Sequence, residues 1–380
     1  MSAETWLDDN NRYLAVSLQW LRRRLQDMIR DESAPVVTPP QPAAAPAPGL
    51  FDRLRGITPP TPAKNNAAPV TEPENNPAVD PSSAVRAEAA KTDPPPALIL
   101  LAQNFGLSDF ERDILLLCAA LELDPNMGAL CAASQGNAAR AYPTFALAFQ
   151  AIGEPSWDAL SPHRPLRYLR LLEINQPGAT PLTAAALRAD ERVVNYIKGL
   201  NAPDERLTTL LTLDNTDNSE LAPSQQAVAE QIIANLHDTS GNGSVPIVEL
   251  LGVDVGSKRD VAADVCAALQ RSLYRIAIDV LPTNKAEIEN LARLWQRESI
   301  LLRVALYIDA EDLDGATNDI ASGLQWFLSR DLGLVFVGLR EPPLRQIEAS
   351  IAFEVNKPTT QEQRTAWTET LKDVLPAEDV

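Results

Sequence analysis

Residues that build metal centres and disulfide scaffolds are scarce in this sequence. Its 380 residues include three cysteines, Cys118, Cys131 and Cys266, and two histidines, His163 and His237. They are scattered, without a C-x-x-C pair or a histidine pair, which argues against a zinc site and against a disulfide framework. Free thiols are typical of a reducing compartment, so we expect a cytoplasmic protein.

Basic charge and long apolar runs are also in short supply. The chain has 33 basic residues against 51 acidic ones, a net charge of −18. Such a balance repels phosphate backbones and anionic membranes, so nucleic acid is not an expected partner. No apolar run approaches the roughly 20 residues of a membrane span, and the N-terminus lacks the apolar stretch of a signal peptide. We therefore predict neither a membrane span nor secretion.

Residues 1–32 are predicted to form one amphipathic helix. Leu7, Leu14, Leu21 and Met28 recur every seven residues, and Asn11, Leu18 and Leu25 follow four positions after the first three. Six of these seven positions are apolar, which places an apolar stripe on one face. A continuous stripe of this kind is suited to packing on another helix. The prediction is that it docks on a helix of a partner protein.

Proline, in contrast, is abundant, and it is concentrated in residues 33–96. Sixteen of the 31 prolines fall in this stretch, among alanine, asparagine, threonine and serine. Such a composition cannot bury enough apolar surface to offset the chain entropy, so we predict a disordered, locally extended tether. The island GLFDRLRGI at 49–57 is either a short docking motif or a chance cluster of apolar residues.

Residues 97–213 are predicted to form a compact helical domain of the winged-helix type. Ser108 is an expected N-cap, with Glu111 at the capping-box spacing, and a hairpin is expected around Gln176-Pro177-Gly178. Winged helices often bind DNA, but this region holds 9 basic and 12 acidic residues. That count favours protein contacts, with a DNA-binding regulator as the weaker alternative.

Residues 214–380 are predicted to form an α/β domain with a parallel sheet. Apolar, β-branched runs alternate with helical patterns, as in a parallel sheet whose strands are joined by crossover helices. The expected strands lie at 245–251, 275–280, 303–309, 334–338 and 351–355.

The stretch GVDVGSKR, at 252–259, lies between the first of these strands and a helix. It approaches the phosphate-loop pattern G-x-x-x-x-G-K-S/T. Gly252 and Lys258 match the pattern, whereas Ser257 replaces the second glycine and Arg259 replaces the hydroxyl residue. Gly256, one place early, keeps some backbone freedom. These five residues are candidate nucleotide contacts.

A second candidate contact lies fifty residues further on, at the end of RVALYID. Asp309 stands where phosphate-loop ATPases carry the acid that holds magnesium, and Ala310 stands where a water-orienting glutamate would follow. Arg259 has no lone pair to give a cation. The predicted cofactor is weakly bound ATP, without catalytic residues and without a metal site.

Three interpretations of the loop stay open at this point. Either Lys258 and Arg259 are ordinary partners of nearby carboxylates (Asp254, Asp260 and Asp264), or the loop binds nucleotide without turning it over, or it hydrolyses ATP by unconventional means.

The order strand, altered phosphate loop, helix, strand, helix, ALYIDA strand, helix and GLVFVGLRE strand resembles an AAA+ ATPase core. The preceding FGLSDFERDILLLCAALELDP and YPTFALAFQAI are similar to the winged-helix domain of AAA+ proteins found with phage-tail-like contractile injection systems. The resemblance covers about residues 97–371. Those proteins commonly carry a first, eroded ATPase core followed by an intact one.

The resemblance implies a multidomain, ring-associated assembly factor. In it, an N-terminal helix on a Pro-rich linker precedes a winged-helix-like domain and a degenerate AAA+-like core. The implied partners are AAA+ ring subunits or components of the injection apparatus. The leading hypothesis is a scaffold or regulatory factor, and the alternative is an active or nucleotide-binding ATPase that remodels protein assemblies.

Overall fold

A computed structural model gives the fold of this chain. It describes residues 3–33, 81–214, 221–239, 245–311, 313, 318–341 and 350–372. The first elements, in chain order, are α1 (Ala3–Ser33), α2 (Pro81–Ala89), α3 (Ala97–Phe105), α4 (Asp109–Leu123), α5 (Met127–Ser134), α6 (Phe145–Ala151), α7 (Pro165–Tyr168), β1 (Leu172–Asn175), β2 (Ala186–Ala189), α8 (Glu191–Ile197) and α9 (Glu205–Thr208). The elements that follow are β3 (Thr212–Leu213), α10 (Pro223–Thr239), β4 (Ile247–Leu251), α11 (Val255–Ala268), β5 (Ser272–Ala277), α12 (Lys285–Leu301), β6 (Val304–Asp309), α13 (Asn318–Leu328), β7 (Val335–Leu339), β8 (Ser350–Glu354) and α14 (Thr360–Lys372).

The N-terminal helix α1 packs on the helical domain of its own chain. Leu21 and Leu25 are fully buried in the core that α3–α8 also build. The Asn10 side chain fixes the position, because its amide donates to the Ile197 carbonyl and its oxygen accepts from the Ala97 amide, both at 2.9 Å. The stripe that was expected to dock on a partner helix is therefore used within the chain, and that expectation is corrected.

The end of the predicted tether is also ordered. Helix α2 contains Arg86, which is buried, lies 4.4 Å above the ring centre of Trp20 and pairs with the Asp113 carboxylate. A single arginine that stacks and pairs at once can hold a short helix of otherwise weak apolar character. Residues 81–96 thus depart from the disorder predicted for 33–96. The island at 49–57 lies outside the described residues.

The helical domain carries the hairpin expected of a winged helix. Strands β1 and β2 pair antiparallel, from Leu172 opposite Ala189 to Asn175 opposite Ala186. Ahead of α4, Ser108 and Glu111 form the predicted capping box. The helical prediction and the hairpin are confirmed.

The C-terminal domain is built on a six-stranded sheet in the order β3-β5-β6-β7-β4-β8. All neighbours are parallel except the short edge strand β3, which pairs antiparallel with β5 and was not predicted. Helices α12 and α13 cover one face of the sheet, and α10 and α11 cover the other. The parallel α/β prediction is confirmed, but β5 begins three residues before the predicted range 275–280, and residues 278–280 form a 3-10 turn. Among the described helices, none combines the length and apolarity needed to cross a bilayer.

Buried charges connect the two domains. Arg297 on α12 is fully buried and pairs with Asp204 and with Asp190, the latter at 3.2 Å. Beside it, Arg192 on α8 donates to Glu298 on α12 at 2.9 Å. Because a buried charge without a partner is strongly destabilising, these pairs fix the position of α12 against the helical domain.

Truncating a leucine of α1 tests whether this helix packs on the helical domain of its own chain. Leu21→Ala should lower the free energy of unfolding by about 2–5 kcal/mol, because a fully buried leucine leaves a cavity. Leu7→Ala, the same change at a side chain that is 40% exposed, should cost less than about 1 kcal/mol. Chemical denaturation measures both, and equal effects would mean that α1 does not pack on its own chain as described.

Removing Arg297 tests the interdomain pairs. Arg297→Ala leaves two buried carboxylates without this cation and should cost on the order of 3 kcal/mol in urea unfolding. Lys285→Ala, at the exposed start of the same helix, removes a cation that lies 5.7 Å from the ring centre of Trp326 in the same domain, and it should cost less than about 1 kcal/mol. If Arg297→Ala were no worse than Lys285→Ala, the buried pairs would not hold the domains together.

Candidate functional site

The loop 252–258 lies at the carboxyl end of β4, between β7 and β8. From β4 the chain crosses to the far side of the sheet, returns through β6 to β7, and then places β8 on the other side of β4. In open parallel sheets such a reversal of strand order opens a crevice at the carboxyl ends of the strands, where ligands bind. The sequence candidate is therefore at the position that a nucleotide site requires.

The neighbouring strands hold Gly252 tightly. Its φ is +149°, and a Cβ at this position would lie 2.2 Å from the Val355 carbonyl oxygen. The Gly252 amide donates to the Leu339 carbonyl at the end of β7, at 3.0 Å. The first glycine of the pattern is thus required for packing within the chain.

Lys258 is fully buried, and its ammonium is enclosed by three acceptors. It donates to the Gly252 carbonyl at 2.6 Å, to the Leu339 carbonyl at 2.8 Å and to the Glu311 carboxylate. An ammonium has three donors, so every donor is used. Glu311 supplies the negative charge that a phosphate would otherwise bring.

The amino end of α11 is also occupied by groups of the chain itself. Asp254 is the N-cap, and its carboxylate accepts from the Ser257 amide at 3.0 Å. Hydrogen bonding from the Ser257 side chain, and then from its amide, lowers the pKa of Asp254. The Ser257 hydroxyl accepts from the Gln225 side chain at 2.7 Å. Gly256 lies in the first turn of α11, where an added Cβ would lie 3.8 Å from the Asp254 carboxylate. A carboxylate therefore stands where helix-end amides would hold an anion.

Arg259 and Asp309 do not meet at a shared ligand position. Arg259 pairs with Asp214 at 3.2 Å, so the carboxylates expected to neutralise the loop, Asp260 and Asp264, are not its partner. Asp309 ends β6 half-buried, and its carboxylate makes no hydrogen bond or ion pair with a described residue. Searched within the described residues, no group of three or more potential metal ligands occurs.

Tyr307, on β6, packs against Gly338 on the neighbouring strand β7. A Cβ on Gly338 would lie 2.2 Å from the Tyr307 hydroxyl. Burial raises the pKa of Tyr307, and the negative charges of Asp309 and Glu311 raise it further. The missing side chain at 338 thus makes room for a tyrosine ring.

The residues present at the loop do not fit a nucleoside triphosphate and its magnesium ion. The lysine has no free donor, the helix end is capped by an aspartate, and the position of the metal-binding hydroxyl holds an arginine that pairs elsewhere.

Comparison with known protein families identifies the family of the helical domain. The family model of the winged helix domain, variant, matches residues 7–211. The chain belongs to this winged-helix family. The matched range begins in α1 and ends just after α9, so it takes in the N-terminal helix as well as the hairpin.

Solved structures similar to this winged-helix protein include AAA domains. The crystal structure of the FIGL-1 AAA domain in complex with ADP has 16% identity and a TM-score of 0.32, and the match covers 46% of this chain and 69% of that chain. The crystal structure described only as the FIGL-1 AAA domain has 14% identity and a TM-score of 0.31, with 46% and 68% covered. No curated protein matches the sequence.

Glu311 is the site residue that sequence reasoning missed in this winged-helix protein. The phosphate-loop ATPase pattern places its second acid directly after Asp309, where this chain has Ala310, and Glu311 stands one position later in the same stretch, YIDAED. Because side chains alternate along an extended strand, residues 307, 309 and 311 can share the face towards α11. This alternation is the sequence signal that could have pointed to Glu311.

The two loop glycines should respond in opposite directions to alanine. Gly252→Ala should cost about 1–3 kcal/mol from the backbone conformation alone, and the contact with the Val355 carbonyl adds to it. Gly256→Ala lies in helix α11, where the nearest heavy atom to the new Cβ is 3.8 Å away, and it should stabilise by up to about 1 kcal/mol. Thermal unfolding of both variants measures this, and a tolerated Gly252→Ala would mean that the loop is not packed as described.

Proposed function

We propose that this chain is an AAA+-type protein whose ATPase core has lost turnover and that acts as a scaffold or regulatory assembly factor. The observation that carries the proposal is the enclosed Lys258 ammonium, bound by Glu311 and two backbone carbonyls. The strand order and the position of the loop support the AAA+-type core. The filled loop supports the loss of its chemistry.

Electrostatics explains why filling the loop opposes ATP binding. A phosphate would have to displace the Glu311 carboxylate from a fully buried lysine, and that carboxylate would then need a new partner or exposure to water. The phosphate would also meet the negative Asp254 at the helix end, where an anion is usually favoured. ATP is therefore proposed to bind weakly, without magnesium and without hydrolysis.

The proposed partners are proteins, specifically AAA+ ring subunits or components of a contractile injection apparatus. The sequence resemblance described above supports this assignment, and the net charge of −18 supports protein over nucleic-acid partners. A cytoplasmic location is part of the same proposal. With the α1 stripe buried in cis, a partner must contact other surfaces of the chain.

Calorimetric titration of the full chain with ATP and with ADP, each with and without magnesium, tests the proposal. We expect dissociation constants weaker than about 1 mM and no measurable phosphate release. Submillimolar binding that magnesium strengthens, or hydrolysis abolished by Lys258→Ala, would contradict the loss of function.

A variant that frees Lys258 from Glu311 tests whether this carboxylate is what opposes nucleotide binding. Glu311→Gln removes the carboxylate that holds Lys258, so the variant should be less stable than the parent, and ADP should raise its melting temperature through linkage. Glu354→Gln, at an exposed position at the end of β8, is the matched control and should leave both quantities unchanged. If ADP stabilised the parent and Glu311→Gln equally, Glu311 would not be what blocks the site.

A further inference from the structure

A second candidate site lies far from the loop, in an open cleft of about 420 Å³ between the winged-helix hairpin and helix α12. Four arginines line it: Arg167, Arg170, Arg206 and Arg293. The rest of the lining is the segment 172–174 of β1, with Glu173 as its one acidic side chain. Four cations in one cleft are unusual for a chain of net charge −18.

The neighbouring carboxylates do not neutralise all of these arginines. Arg167 donates to a neutral acceptor, the Leu160 carbonyl. Arg293 pairs with Glu289, but that carboxylate is shared with Arg330. Arg206 is paired with Asp190 and Asp204, so the excess of positive charge in the cleft comes from Arg167 and Arg170.

Arg170 is the arginine most available to a ligand. It is exposed, and its guanidinium makes no hydrogen bond or ion pair with a described residue. Burial of part of the group, and then the charges of Arg293 and Arg206, lower its pKa. Its φ of +52° is unusual for a residue that is not glycine, and such positions often mark functional sites.

The cleft also offers a free strand edge. It touches three consecutive residues of β1, and because successive side chains point to opposite faces, such contact means that it runs along the edge of the strand. The outer edge of β2 is covered, since the Leu187 amide donates to the Pro143 carbonyl at 2.9 Å. The outer edge of β1 forms no backbone hydrogen bond to another described segment. Free edges of this kind accept extended peptides.

We propose that this cleft binds an extended acidic peptide segment of a partner protein, which adds to the edge of β1 and places its carboxylates on Arg170, Arg167 and Arg293. Guanidinium groups match carboxylates in geometry as well as charge. The half-buried Ile174 provides an apolar contact that a peptide side chain can use. Nucleic acid is the less favoured ligand, because it has no extended peptide backbone that could pair with the edge of β1.

This inference rests on the proposed function only in that it supplies a protein partner for the scaffold. The cleft and the phosphate loop share no residue, so the nucleotide titration and the peptide experiment fail independently.

Fluorescence anisotropy of the full chain with a labelled peptide of alternating valine and glutamate tests the proposal. Arg170→Gln should weaken binding at least tenfold, and Arg188→Gln should leave it unchanged. Arg188 is a fitting control because it lies on β2 of the same hairpin, 61% exposed and outside the cleft. Circular dichroism confirms that both variants fold.

Two modified ligands separate the parts of the proposal. The same peptide with glutamine in place of glutamate should bind at least tenfold more weakly, and so should the acidic peptide with backbone N-methyl groups at alternate residues, which cannot pair with a strand edge. No binding of the acidic peptide, equal loss in both arginine variants, unimpaired binding of either modified peptide, or tighter binding of duplex DNA would each overturn the proposal.

Discussion

The enclosed ammonium of Lys258 is the interaction on which this account of the chain depends. A lysine charge that is fully buried must have its donors satisfied, and here Glu311 and the carbonyls of Gly252 and Leu339 satisfy all three. This lysine thereby joins the ends of β4, β6 and β7. The side chain that a phosphate loop uses for its ligand has become part of the packing of the domain, which stabilises the fold and opposes nucleotide binding at the same time.

Paired buried charges recur where the two domains meet. Arg297, Asp204 and Asp190 do for the interface what Lys258 and Glu311 do for the loop: each fixes the position of one element against another. A body held in this way is suited to presenting surfaces in a constant arrangement. The cleft lined by the four arginines lies beside this interface, and residues of both domains line it. The affinity of a ligand there would therefore depend on whether the two domains are docked.

The sequence predicts the fold well where local patterns decide it. The capping box at Ser108 and Glu111, the hairpin and the five parallel strands follow from short-range signals, and each is present. The cis docking of α1 could not be read in this way, because an apolar stripe does not say which surface it meets. The order around Arg86 depends on Trp20 and Asp113, which are distant in sequence. The same applies to the site: residue types in the loop were visible, whereas the pairing of Lys258 with Glu311 requires the strand ends to be brought together.

A double-mutant cycle between Lys258 and Glu311 tests the central claim most directly. The free energies of unfolding of Lys258→Met, Glu311→Leu and the double variant are compared with that of the parent. The account predicts that each single variant is strongly destabilised and that the double variant recovers much of the loss, with a coupling of about 1–3 kcal/mol. Additive effects, agreeing within about 0.5 kcal/mol, would mean that the two side chains do not hold each other and that the lysine is free for a ligand.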